Sequence, residues 1–265
     1  MPPISLGEAK GRFATVGVTF DTESRRKFAD FVSTSLENLM LAIHGVDVIK
    51  AFTETEVRKP QHEDFSGHSF GDSEEQCHPI FHALLEKVRP RIVIEVGTWF
   101  GTSAVIMATH LKKLGLESKL FCVDDFNAWP ACWRNPAFPK SSYGRAFVYE
   151  AFLNRVVKRG LQDYIIPMPT SSLHACAFFS QIGMQADLIY IDASHDESSV
   201  RSDLLGYYAC MRNGGVMFGD DYTLHRYGYY PVKAAVDAFA REWNLAVETD
   251  KEKWIIEAKM PFLDA

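Results

Sequence analysis

The chain lacks an excess of basic residues and a long apolar run. Its 265 residues include 28 Lys+Arg and 34 Asp+Glu, a formal net charge of −6. Proteins that follow nucleic-acid phosphates usually carry clustered lysine and arginine, so we expect no nucleic-acid partner. No apolar stretch approaches the roughly 18 residues that a transmembrane helix requires. Residues 1–10 contain no apolar signal core, so we expect no membrane partner.

Cysteine is scarce and widely spaced. The five cysteines are an odd number, and none belongs to a C-x-x-C pair. This pattern excludes a zinc ribbon and disfavours a disulfide framework. We therefore expect a reducing, cytoplasmic compartment. Hydrophobic residues make up 47% of the chain and charged residues 23%, so a chain of this length can bury a core without covalent staples.

The pattern of apolar and polar residues changes near residue 78. Residues 22–44 carry apolar side chains at helical spacing and are followed by Gly45, a plausible helix stop. Residues 57–75 are polar and broken by proline and glycine, which indicates a loop. We therefore expect a helical N-terminal extension over residues 1–78 and a main domain over residues 79–265.

From Arg91 onward, short β-branched runs alternate with helical patterns. The predicted strands are 92–96, 120–123, 164–167, 187–191, 216–219, 245–248 and 253–257. The predicted helices are 79–88, 103–114, 147–159, 173–182, a helix through Val200 and Met211 that Asn213-Gly214-Gly215 stops, and 231–243. This alternation predicts an α/β fold: a Rossmann-like, doubly wound, mostly parallel sheet of seven strands with an antiparallel C-terminal hairpin. Ligands of such sheets bind beyond the carboxyl ends of the strands.

Two glycines, Gly97 and Gly101, follow the first predicted strand. A dinucleotide fingerprint, G-x-G-x-x-G, would place a glycine where this chain has Trp99. A pyrophosphate fits poorly against that turn, whereas a nucleoside without phosphates does not need it. Asp124 ends the second strand, where an acid can accept the ribose hydroxyls. By itself the glycine spacing is also compatible with a tight turn and close helix packing.

Three aspartates, Asp192, Asp220 and Asp221, follow the fourth and fifth strands. Neighbouring strands lie roughly 5 Å apart, so these carboxylates would crowd one crevice and repel one another. A divalent cation resolves the conflict, and oxygen ligands without cysteine favour Mg²⁺, Mn²⁺ or Ca²⁺ over zinc. The alternative is that these aspartates cap turns and hold backbone amides.

His195 lies three residues after Asp192 on the same loop. An imidazole beside the carboxylates is a suitable general base. A solvated or hydrogen-bonded loop histidine is the alternative. His225 and Tyr222, in the loop after the fifth strand, are competing bases.

Three segments, residues 93–103, 187–195 and 213–222, resemble the motifs of class I S-adenosylmethionine-dependent methyltransferases, specifically the metal-dependent O-methyltransferases. The resemblance covers roughly residues 78–258. It implies S-adenosylmethionine and Mg²⁺ or Mn²⁺ as cofactors. The cofactor-binding residues that it implies are Glu95, Gly97, Thr98, Gly101, Ser103, Asp124, Ser171, Ser172 and Asp192. The metal ligands that it implies are Asp192, Asp220 and Asp221.

The Asp192-x-x-His195 spacing is similar to that of macrolide-sugar O-methyltransferases. Catechol O-methyltransferases instead have a lysine at the position of His195. They also have Asp-Asn where this chain has Asp220-Asp221. These departures favour a sugar, a diol or another hydroxyl over a catechol. The resemblance implies metal-assisted methylation of a small-molecule hydroxyl, with His195 removing the proton.

Three rival functions use the same residues differently. An NAD-dependent oxidoreductase is disfavoured by Trp99, a metal-dependent hydroxylase or hydrolase would use the carboxylate cluster for other chemistry, and a binding module would keep only the nucleoside pocket. The N-terminal segment is expected to pack over the cofactor edge or against a second subunit of a homo-oligomer.

Overall fold

The computed structural model of the chain describes residues 5–15, 35–55, 77–128, 132, 134, 138, 146–226 and 228–259. The helices in these ranges are α1 (Leu6–Ala14), α2 (Leu36–His44), α3 (Val48–Thr55), α4 (Ile80–Val88), α5 (Thr102–Lys113), α6 (Val148–Lys158), α7 (Ser172–Gln181), α8 (Glu197–Tyr208) and α9 (Pro231–Trp243). The strands are β1 (Ile92–Val96), β2 (Lys119–Asp124), β3 (Ile165–Pro169), β4 (Ala186–Ile191), β5 (Met211–Gly219), β6 (Glu248–Asp250) and β7 (Lys253–Glu257).

The strands form a seven-stranded sheet in the order β3-β2-β1-β4-β5-β7-β6. β1 to β5 pair in parallel, and β7 runs antiparallel to both β5 and β6. All five residues of β1 are buried, as expected for a parallel strand that helices cover on both faces. This confirms the predicted Rossmann-like fold and places the reversal of strand order between β1 and β4.

Right-handed crossovers put the helices on opposite faces of the sheet. On one face α4 packs on α5, and on the other α8 packs on both α7 and α9. No helix in the described ranges is both long enough and apolar enough to cross a membrane.

One predicted helix end is wrong. The helix predicted through Met211 ends at Tyr208, and Met211 instead begins β5. Ala186 of β4 pairs with Met211 of β5, and Leu188 pairs with Val216. Two steps along β4 therefore correspond to five steps along β5. The segment Asn213-Gly214-Gly215 therefore forms an irregularity inside a strand. Glycine permits this bulge as readily as it permits a helix stop.

The last hairpin is also displaced from its prediction, because β6 begins at Glu248, where the predicted strand ends. The other boundaries of the sheet domain lie close to those predicted. β1 has the predicted bounds, and α9 begins at Pro231 as predicted.

The N-terminal segment contributes helices to both sides of the domain. Of the predicted helix over residues 22–44, the described part is α2, which Ser35 caps and Gly45 ends with φ +72°. Residues 22–34 and the predicted loop 57–75 lie outside the described residues. α1 packs against α8, and α3 packs against α6. Their buried side chains join the main hydrophobic core: Ala9, Phe13, Leu39, Met40, Ile49 and Phe52.

Candidate functional site

The turn after β1 requires glycine at two positions. Gly97 has φ +92°, and a Cβ there would lie 2.0 Å from the carbonyl oxygen of Asp192. Gly101 has φ +83°, and its Cβ would lie 2.3 Å from the ring of Phe152. Both positions combine a left-handed backbone with close contact, which excludes a side chain. The turn therefore lies directly against the loop after β4.

The buried side chain of Glu95 stabilises this turn by hydrogen bonds. Its side chain is fully buried and accepts hydrogen bonds from Thr98 Oγ1 at 2.9 Å and from Ser103 Oγ. Burial raises the pKa of Glu95 to about 7. The carboxyl group thus ties the end of β1 to the start of α5.

Asp124 joins the end of β2 to the same turn. Its carboxylate accepts the backbone N–H of Trp99 at 2.8 Å and that of Phe126 at 2.6 Å. Partial burial raises its pKa. A carboxylate oxygen has two lone pairs, so these contacts leave acceptor capacity toward a ligand.

A cavity of about 1000 Å³ opens at the carboxyl ends of β1 to β4, next to the reversal of strand order. This is where ligands of open α/β sheets bind. The predicted site residues on its wall are Gly97, Thr98, Ser103, Asp124, Ser171, Ser172, Asp192 and His195. The predicted site residues that are not among those lining it are Glu95, Gly101, Asp220 and Asp221.

Asp192, His195 and Asp221 meet at one edge of this cavity. His195 Nε2 lies 2.9 Å from Asp221 Oδ2 and 3.5 Å from Asp192 Oδ1. Hydrogen bonds to Asp192 and Asp221 raise the pKa of His195 to about 9. The same contact lowers the pKa of Asp221, whose backbone has φ +61°. One donor atom from each residue lies within 4.8 Å of the others.

Asp220 does not join this cluster. Its carboxylate binds Lys253 Nζ and lies 3.4 Å from Tyr190 OH, which also donates to Asp192 Oδ2 at 3.0 Å. Lys253 is only 5% exposed, so the pair is largely withdrawn from solvent. Sequence analysis missed Lys253 because its position depends on the antiparallel pairing of β7 with β5.

The competing bases are engaged elsewhere. Tyr222 OH donates to Asp237 at 2.7 Å and accepts from Lys233 at 2.8 Å. The His225 ring packs against Tyr230, with ring centroids 5.1 Å apart. Neither lines the cavity.

The far end of the cavity is polar; Ser172 there was predicted from the sequence, whereas Asp203 was missed. Ser172 Oγ donates to Asp203, and Tyr207 OH donates to the carbonyl of Ser172 at 3.0 Å. Asp203 is 5% exposed, and burial raises its pKa to about 7. Ser202 and Asp203 lie four residues after Ser198 and Ser199 respectively, a helical spacing that could have drawn attention to them.

Comparisons with known proteins agree with this architecture. Residues 94–222 match the sequence model of a family described as a methyltransferase domain. Among curated proteins, no sequence matches the chain significantly. The O-methyltransferase NovP is 19% identical, with a TM-score of 0.51 over 68% of this chain and 78% of its own. The O-methyltransferase TomG from Streptomyces achromogenes, solved with S-adenosylmethionine, is 15% identical, with a TM-score of 0.52 over 80% of this chain and 96% of its own.

The structural similarities are at low sequence identity and show the fold alone. The sequence match covers the segment from β1 to the residues that follow β5. The cavity lies within that matched segment, at the strand ends where this fold binds ligands. Residues 94–222 thus match a methyltransferase-domain family in sequence, and the sheet as a whole has the fold seen in O-methyltransferases.

Proposed function

We propose that the protein is an O-methyltransferase that transfers the methyl group of S-adenosylmethionine to a hydroxyl of a small molecule. One observation carries the proposal: Asp192, His195 and Asp221 meet at the edge of a cavity inside the methyltransferase domain. NovP and TomG, which share the fold, are both O-methyltransferases. A sugar, a diol or a phenol is the acceptor class we propose.

The cavity fits a nucleoside cofactor with room for an acceptor. Its volume is at the upper end of the range for small-molecule sites, about 300–1,000 Å³. Asp124 offers an acceptor for the ribose hydroxyls, and the turn from Gly97 to Ser103 offers backbone groups for the methionine part. Glu95 would act on that part through the turn that it holds.

The residues at the cavity edge also fit a divalent cation. Carboxylate oxygens of Asp192 and Asp221 would ligate it, and such ligands favour Mg²⁺ or Mn²⁺. Asp220, the third proposed ligand, would have to turn its carboxylate away from Lys253 to contribute. When bound there, a cation supplies positive charge that lowers the pKa of a nearby hydroxyl and of His195.

His195 is the proposed proton acceptor. The residue lies on the cavity wall, and its Nε2 lies between the carboxylates of Asp192 and Asp221. The two carboxylates stabilise the imidazolium that forms when the ring takes the proton. The remaining task of the protein is to align the oxygen with the methyl group and the sulfur.

The test measures S-adenosylhomocysteine formation with a panel of sugars, diols, phenols and amines, in Mg²⁺ and in EDTA. We expect turnover with a hydroxyl acceptor that EDTA abolishes and Mg²⁺ or Mn²⁺ restores. His195→Gln should lower kcat about 10²- to 10⁴-fold, because it removes the general base, with S-adenosylhomocysteine binding retained. Asp192→Ala should abolish turnover while cofactor binding largely survives.

His110→Gln is the matched control, since His110 pairs with Glu86 at 3.2 Å and does not line the cavity. Its turnover should equal that of the wild type. Full activity of Asp192→Ala in excess EDTA would overturn the metal role. Methylation of amines alone would overturn the proposed acceptor class.

A further inference from the structure

The polar end of the cavity is built from the N-terminal parts of two helices. α7 begins directly after β3, and α8 begins after the loop that carries His195. Hydroxyl and carboxyl side chains from both helices line this end: Ser171, Ser172, Ser198, Ser199, Ser202 and Asp203. Such a concentration of hydrogen-bonding groups favours the edge of a polar heterocycle over an apolar group.

The topology indicates which part of the cofactor reaches this end, given the S-adenosylmethionine site on which the proposed function rests. Transfer must occur near Asp192 and His195, at the end of β4. Asp124, at the end of β2, is placed for the ribose. β3 lies beyond β2 in the sheet, so the base extends over the end of β3, where Ser171 and Ser172 begin α7.

Asp203 determines what Ser172 can offer to that base. A serine hydroxyl has one proton, and Ser172 Oγ donates it to Asp203. The lone pairs of Ser172 Oγ are then what remains for a ligand. Tyr207 OH, bound to the carbonyl of Ser172 at 3.0 Å, fixes the backbone of the same residue.

The resulting edge of the protein is complementary to the donor and acceptor order of adenine. Ser172 Oγ can accept from the 6-amino group of the base. The first N–H groups of a helix have no partner within the helix, so those of α7 can donate to the adjacent ring nitrogen. A 6-oxo base presents the reverse order, with an acceptor at position 6 and an N–H beside it.

We propose that Asp203 is a positioning residue that makes the cofactor site specific for a 6-aminopurine, by holding Ser172 Oγ as a hydrogen-bond acceptor. The alternative role for Asp203 is to link α7 to α8 without influence on the ligand. The two roles differ in how a change at Asp203 affects selectivity.

The experiment compares the Kd of S-adenosylhomocysteine with that of S-inosylhomocysteine, its 6-oxo counterpart, by calorimetric titration. Burial raises the pKa of Asp203 to about 7, so the titrations are run at pH 8.5, where this carboxyl is ionised. The wild type should prefer the 6-amino ligand on the order of 10- to 100-fold. Asp203→Asn should narrow that ratio about tenfold, because the asparagine amide can donate to Ser172 and turn its proton toward the ligand.

Glu197→Gln is the matched control, since Glu197 is an exposed acid on the same helix, α8, and does not line the cavity. Its ratio should stay that of the wild type. At saturating S-adenosylmethionine, Asp203→Asn should retain kcat while its KM for the cofactor rises.

Equal wild-type affinity for the two ligands would overturn the proposal, as would an unchanged ratio in a folded Asp203→Asn variant. If that variant does not fold, Ser172→Ala takes its place, and a ratio retained there counts against the proposal. Failure to bind S-adenosylhomocysteine would overturn the cofactor site and this proposal together. Selective binding without transfer to any hydroxyl would contradict only the proposed O-methylation.

Discussion

At the scale of single residues, Glu95 shows how a buried group can serve a site that it does not line. The resemblance places it among the cofactor residues, and the structure uses both of its oxygens on Thr98 and Ser103. The turn whose backbone lines the cavity therefore depends on a carboxyl group whose pKa is raised to about 7.

That raised pKa makes stability depend on pH. Below about pH 4.5 the carboxyl is protonated in the folded and the unfolded chain, and between pH 4.5 and about 7 only the folded chain keeps the proton. The contribution of Glu95 to the free energy of unfolding is therefore largest at low pH and falls by roughly 3 kcal/mol as pH rises through this window. Glu95→Gln, which is neutral throughout, should lack this fall.

Urea unfolding of the wild type and of Glu95→Gln at intervals from pH 5 to 8 measures the effect. Glu248→Gln, at an exposed position of β6, is the control and should follow the wild-type profile. Parallel profiles for the wild type and Glu95→Gln would show that Glu95 does not take up a proton on folding.

At the scale of elements, the sequence predicts the strands and helices that a local pattern determines. It misses the features that depend on which strands pair. The β-α alternation predicts the parallel strands, and their shared direction predicts that Asp192 and Asp221 meet. The glycines of Asn213-Gly214-Gly215 have the same local signature in a helix stop and in a bulge, and only pairing with β4 selects the bulge. Lys253 reaches Asp220 through the antiparallel β7, which no local pattern reveals.

The Lys253–Asp220 pair should tie the end of β5 to β7. Removing one partner leaves the other charge poorly compensated, so Lys253→Met and Asp220→Asn should each lower the free energy of unfolding by about 3 kcal/mol. The double variant should lose less than the sum of the two. Urea unfolding of the wild type, the two single variants and the double variant in EDTA gives the coupling energy between the two residues. Strictly additive losses in the free energy of unfolding would show that the ion pair contributes no coupling.

At the scale of the whole molecule, the N-terminal segment is part of the main core in the described ranges. Phe13 of α1 stacks on Trp243 at the end of α9, with ring centroids 5.3 Å apart. Arg12 Nη1 donates to the carbonyl of Glu242 at 2.8 Å and lies over the Trp243 ring. These contacts lie on the α8–α9 face, whereas α3 packs on α6, so the segment contacts helices of both faces. Buried side chains of the N-terminal helices thus join the main core, and the domain division at residue 78 stays a prediction.

A continuous core should unfold in one step. We expect a single calorimetric transition for the full chain. S-adenosylhomocysteine at a hundredfold excess over its Kd should add about 2.7 kcal/mol to the free energy of unfolding of the whole chain. Phe13→Ala should lower the midpoint of that transition, because it removes a buried ring, while Lys10→Ala on the exposed face of α1 should leave it in place. Two transitions, of which the ligand shifts only one, would mean that residues 1–78 fold as a separate domain. A single transition that the ligand shifts as a whole means that the N-terminal helices and the cofactor site share one cooperative unit.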